Sequence, residues 1–190
     1  KYCADNIELC CTVDLCYDVI IVCTGNASQE KYWQERLEKG LGVFFPKSSI
    51  VLAVHEDWVG GAGNGLGTLY AYKKACLAAN ARDIDLPKML KDGASVALYH
   101  TAGKGTRLAP LPGSENNNKP GVQLPSQVEL SDGSKVNVSI LEAVIKQTGI
   151  YAKSRGGRVS VYWGDQVFIP SIDASYKPIA HADILCKLRP

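Results

Sequence analysis

The sequence predicts an α/β fold in which a doubly wound, mostly parallel sheet carries a β-hairpin insertion. Three observations predict it. Short, nearly continuous apolar runs stand at 17–23, 49–54 and 95–100, segments with helical spacing lie between them, and glycine-rich loops follow the second and third runs. Strands buried on both faces read as continuous apolar runs, and their alternation with helices is the pattern of parallel sheets built from crossover connections.

Residues 17–23 (YDVIIVC) are rich in β-branched side chains and predict a central strand. Ser28 can cap a helix over 29–39, which places Trp33 and Leu37 at i and i+4 and stops at Gly40. Residues 49–54 (SIVLAV) predict a second strand, and the glycine-rich run 60–67 (GGAGNGLG) opens a helix from Thr68 to about Asn80. After a polar connection, 95–100 (SVALYH) predicts a third strand with the loop 101–120 directly behind it. Ser131-Asp132-Gly133-Ser134, between two short alternating runs within 122–138, signals a hairpin that interrupts the α/β rhythm. Ser139 caps a helix over 139–153 with Ile140, Ala143, Val144 and Ile150 near helical spacing, and 158–163 (RVSVYW) predicts a further strand ending in Gly164-Asp165. Beyond Pro170 the pattern weakens. The chain is therefore expected to be the amino-terminal part of a longer protein, trimmed at Lys1 and lacking the elements that would finish a substrate-binding half.

Length and composition narrow the function classes. With 190 residues the chain suits one domain, 1–190, able to bury about 70% of the surface exposed by its unfolded form. Hydrophobic residues make up 46% and charged residues 21%, which fits a folded globular chain. The net charge of +2 is small and the basic residues are scattered, which argues against nucleic acid as a partner. No apolar stretch approaches the roughly 20 residues needed to cross a bilayer, so no membrane partner is expected. The seven cysteines are odd in number and five fall between Cys3 and Cys23 without paired CxxC elements, which suggests reduced thiols in a cytoplasmic compartment. The adjacent Cys10 and Cys11 leave metal binding or a disulfide open. Two matches to the glycosylation pattern, at Asn26 and Asn137, are read as chance in the absence of a secretory signal.

The loop 101–120 carries the chemistry. A parallel sheet presents ligands at the carboxyl ends of its strands, and glycines there let backbone N–H groups surround an anion without Cβ clashes. Gly103 and Gly105 can form such a cradle with the backbone of Ala102, Lys104 and Thr106. Arg107 offers a planar fork for bidentate phosphate contact, Lys119 offers a point charge twelve residues later, and Pro110, Pro112 and Pro120 stiffen the loop. The order of residues is not that of a P-loop, because Lys104 is followed by glycine and the required earlier glycine is missing. In the run 60–67, Gly61 and Gly63 are candidates for nucleotide contact, or they simply permit close packing against the sheet. That run lacks GxGxxG spacing, which disfavours a dinucleotide oxidoreductase. His55, His100 and His181 show no spacing of a ligand set or triad, and Trp33, Trp58 and Trp163 are expected in or beside the core.

Gly103-Lys104-Gly105-Thr106-Arg107-Leu108 followed by Lys119-Pro120 resembles the signature of the sugar-1-phosphate nucleotidyltransferases (pyrophosphorylases). Ala102 stands where that family has its first glycine, and the spacing from Arg107 to Lys119 is longer than the family's. Leu124-Pro125, the helix start Ser139-Ile140-Leu141-Glu142 and Gly164-Asp165 agree in order, so the resemblance covers roughly 95–169. Residues 18–29 and 60–69 are similar to the amino-terminal region of fucokinase and GDP-fucose pyrophosphorylase proteins, with a UDP-sugar pyrophosphorylase-like branch as the other option. The resemblance implies Mg²⁺-dependent, in-line attack of a sugar 1-phosphate on the α-phosphorus of an NTP, with pyrophosphate leaving. By the same resemblance, Arg107 holds the departing pyrophosphate, Lys119 binds phosphate near the reacting centre, and Asp165 ligates Mg²⁺. The alternative is a catalytically inactive nucleotide-binding or interaction module of the same fold, motivated by Ala102 and by the lack of an identifiable second metal carboxylate.

Overall fold

The run at 17–23 forms β1 (Val19–Thr24), whose six residues are all buried, as a strand covered on both faces must be. The structure is a computed structural model and describes residues 2–58, 63–102, 119–167, 171, 173–184 and 186. β1 pairs in parallel with β2 (Ile50–His55) on one side and β3 (Val96–His100) on the other, and β3 pairs in parallel with β6 (Val159–Trp163). The sheet order is β2-β1-β3-β6. The expected doubly wound parallel sheet is thus present, and so is the hairpin, formed by β4 (Gln123–Glu129) and β5 (Lys135–Ser139). Gly133, with φ +80, turns the hairpin in the left-handed region that its Asp-Gly sequence favours.

Helices cover both faces. On one side α2 (Ala27–Lys39) and α5 (Ile140–Gly149) bury Trp33, Leu37, Leu141, Val144 and Ile145 against Ile20, Val22 and Tyr99 of the sheet. On the other, α3 (Gly63–Asn80) lays Ala71, Ala75 and Ala79 on Val19, Ile21, Cys23 and Leu98, and α4 (Leu86–Lys91) adds Leu86. Alanines at i, i+4 and i+8 form a smooth stripe that lets a helix lie close to the strands. Each fully buried large side chain contributes about 1.5–3 kcal/mol relative to exposure.

Several boundaries differ from the sequence reading. α2 is capped by Asn26, whose side chain accepts from the Gln29 amide at 2.9 Å, and not by Ser28. Asn26 is in extended backbone at the turn out of β1, where its oxygen can reach the third helical amide. α3 starts at Gly63, ahead of the expected Thr68, although its first turn is exposed and glycine is a weak helix former; the packed stripe begins further along, at Ala71. The connection after Asn80 contains α4, capped by Asp85 onto the Lys88 amide with a proline in its first turn. The cysteine-rich beginning forms α1 (Tyr2–Cys10), for which no helical spacing had been expected. α5 ends at Gly149, short of Lys153, where a Cβ would lie 2.7 Å from the Leu15 carbonyl oxygen; a 3₁₀ turn (Ala152–Arg155) follows.

Ser139 caps α5 as expected, and Glu142 completes the capping box by accepting from the Ser139 amide at 2.7 Å. The Glu142 carboxylate is fully buried and also receives the Arg36 guanidinium of α2 at 2.7 and 3.0 Å. One carboxylate thus joins the two helices of that layer. Removing one partner of a buried pair leaves the other charge uncompensated, so Glu142→Ala is expected to cost about 3–5 kcal/mol in denaturant unfolding. Adding Arg36→Met to it is expected to recover part of the loss; a double variant as unstable as the sum of the singles would contradict this pairing.

Candidate active site

β1 connects onward to β2 and β3 to β6, so the chain leaves these neighbouring strands toward opposite edges of the sheet. Such a reversal opens a crevice at the carboxyl ends of the two strands, the place where doubly wound sheets take ligands. Here Gly25 follows β1 and Ala102 follows β3. A Cβ on Gly25 would stand 3.4 Å from the Ala102 carbonyl oxygen, an ordinary contact, so the two turns lie side by side. The thirteen-residue α2 begins at the same place, its first amides adding positive potential. The Thr101 amide and hydroxyl both donate to the Cys23 carbonyl, at 2.8 and 2.9 Å, and fix the point where the loop departs.

Of the predicted phosphate residues, Gly103, Lys104, Gly105, Thr106 and Arg107 lie outside the described residues, as does Gly61. Both ends of their loop are described. Ala102 stands at the end of β3, and Lys119 opens a 3₁₀ turn (Lys119–Gly121) whose Pro120 and Gly121 are buried. Lys119 Nζ meets Asp165 Oδ2 at 2.5 Å, joining the loop's exit to the end of β6 across 46 residues of sequence. The Gly164 amide donates to the His100 carbonyl at 2.9 Å and so sets Asp165 beside the end of β3. The fold therefore brings Ala102, Lys119 and Asp165 to one edge. Gly63 opens α3 with φ +69 and has open space where a Cβ would stand, so its glycine serves backbone conformation and not close packing.

Asp165 is a partly exposed hard oxygen donor at this edge. A single carboxylate with phosphate oxygens completing the coordination is a common setting for Mg²⁺, so the residue fits that ion, with Lys119 as the competing cation.

A second group was missed in the sequence. Cys23, Glu56 and His100 offer ligand atoms all within 4.8 Å of one another, although the histidines had shown no spacing of a ligand set. The parallel register puts Cys23 and His100 side by side in β1 and β3, on the face toward α3, and the Glu56 amide bonds the Thr24 carbonyl at 2.9 Å. No linear motif carries this; strand order alone reveals it. Burial and the Glu56 carboxylate push the Cys23 thiol up to about 12, and burial holds His100 below its ordinary value.

Of the tryptophans, Trp33 is buried in the core while Trp58 and Trp163 stand at the surface. Trp58 stacks on Tyr70 with ring centroids 4.4 Å apart, and Tyr70 donates to Asp57 in a short bond that holds the Asp57 carboxyl below its usual range. Among the described residues no helix is long and apolar enough to cross a membrane. Comparison with protein-family profiles, with curated proteins and with solved structures found no match to this chain.

Gly164 is the joint on which the Asp165 position depends, since a Cβ there would lie 2.8 Å from Thr101 Cγ2 and 2.9 Å from Leu141 Cδ1. Gly164→Ala is expected to lower stability by about 1–3 kcal/mol in denaturant titration through overpacking. An unchanged midpoint would show that this turn is not closely packed.

Proposed function

We propose that this chain is the nucleotide-binding part of a sugar-1-phosphate nucleotidyltransferase. The observation that carries the reading is the Lys119–Asp165 pair, which sets the exit of the glycine-rich loop beside a strand-end carboxylate at the edge where the sheet's connections diverge. A triphosphate in that crevice would meet the loop's amides and the Arg107 fork, and would draw Lys119 away from Asp165.

A phosphate oxygen of the sugar 1-phosphate then forms a bond to the α-phosphorus, the bond from that phosphorus to the bridging oxygen breaks, and pyrophosphate leaves with the electron pair. Arg107 steadies the departing pyrophosphate, and Lys119 offsets charge on the phosphate under attack. Asp165 would hold Mg²⁺, whose contribution when bound is to neutralise charge on the phosphate oxygens. The partners in this reading are an NTP and a sugar 1-phosphate, and the setting is cytoplasmic. Binding without turnover is a second reading, favoured by Ala102 at a position of the family's glycine and by the engagement of Asp165 with Lys119.

Pyrophosphate exchange by the full chain, across a panel of NTPs and sugar 1-phosphates with Mg²⁺, tests this. Turnover with at least one pair is expected, lowered about 10²–10³-fold in Arg107→Ala and Lys119→Ala. Nucleotide binding without exchange selects the second reading, and no nucleotide binding at all contradicts both.

A further inference from the structure

We propose that Cys23, Glu56 and His100 form a binding site for a borderline-soft divalent metal ion, Zn²⁺ foremost, sharing no residue with the Lys119–Asp165 pair. Among the described residues this is the one group of three such donors whose ligand atoms converge within 4.8 Å. Cys23 Sγ is 3.8 Å from Glu56 Oε1. A tetrahedral zinc with bonds of about 2.3 Å to sulfur and about 2.1 Å to oxygen sets those two donors roughly 3.6 Å apart, so the spacing is nearly that of the coordinated state.

The chemistry of the set selects the ion. A thiolate, an imidazole and one carboxylate suit zinc and disfavour Mg²⁺ and Ca²⁺, which take oxygen ligands. A thiolate and a carboxylate also balance a double positive charge, which a half-buried position requires. Three protein ligands leave a fourth place for water or a substrate atom.

The surroundings are shaped to the group. The Thr68 hydroxyl lies 2.8 Å from His100 Nε2 and holds the ring's orientation, the task of outer partners in metal sites. Gly67 of α3 passes so near that a Cβ there would stand 2.9 Å from Glu56 Oε1 and 3.7 Å from His100 Cε1. A bound ion would tie β1, β3 and the segment after β2 together at the divergent edge and hold α3 against them through Thr68.

Chelator-stripped full chain is titrated with Zn²⁺ and, separately, Co²⁺, with bound metal measured by elemental analysis and thiolate ligation by the near-ultraviolet charge-transfer band of cobalt. One equivalent and a thiolate band are expected. Cys23→Ser abolishes the band, Glu56→Gln and His100→Gln weaken binding at least about tenfold, and Thr68→Ala weakens it about tenfold. The Cys10→Ser/Cys11→Ser double variant keeps the band, which separates this site from the cysteine pair in the first residues. Failure of the unmutated chain to take up either ion overturns the proposal without reference to how any variant folds. So does a band that survives in Cys23→Ser or vanishes in the Cys10/Cys11 variant.

Discussion

The parallel pairing of β1 with both β2 and β3 is the constraint on which the rest of the structure depends. Because β1 is buried on both faces, its backbone groups must be satisfied within the sheet and its side chains must be covered by helices above and below. That requirement sends α2 to one face and α3 to the other. Connections that leave neighbouring strands in opposite directions then open a crevice at their carboxyl ends. The candidate edge thus follows from the same pairing that builds the core.

Two kinds of polar contact hold the edge in place. Deep in the helical layer, the buried Arg36–Glu142 pair couples α2 to α5. At the rim, the Thr101 bonds to the Cys23 carbonyl and the Lys119–Asp165 pair bracket the glycine-rich loop at its two ends. The buried pair is shielded from water and has a fixed geometry. The rim pair is partly exposed, so water and salt screen it and an incoming phosphate can compete for Lys119. A rigid scaffold with exchangeable charges at its edge suits binding of a polyanion.

Much of this was legible in the sequence because its signals are local. The run YDVIIVC, the Ser139 cap and the Asp-Gly turn each specify a short conformation, and each element formed within a few residues of its expected place. Starts and stops were less legible where tertiary contacts decide them. Asn26 prevailed over Ser28 because the turn out of β1 aims its oxygen at Gln29, while α3 extends through glycines at an exposed first turn that no propensity signal announces. Of the candidate site, the positions of Ala102, Lys119 and Asp165 at strand-edge turns could be read from the strand pattern, whereas the direct contact of Lys119 with Asp165 could not. The Cys23, Glu56 and His100 cluster was invisible for a stricter reason. Its members are 33 and 44 residues apart in turn and meet only through the order β2-β1-β3, which no linear spacing encodes.

In the proposed nucleotidyltransferase, the crevice between β1 and β3 receives the triphosphate. The competing place for an anion is the open cleft lined by Lys153, Arg158 and Lys177. Amide chemical shifts followed by NMR, while a non-hydrolysable NTP and Mg²⁺ are added, distinguish the two. The account predicts the largest changes at Gly25, Ala102, Lys119 and Asp165; changes at Lys153, Arg158 and Lys177 with those four unmoved would contradict it.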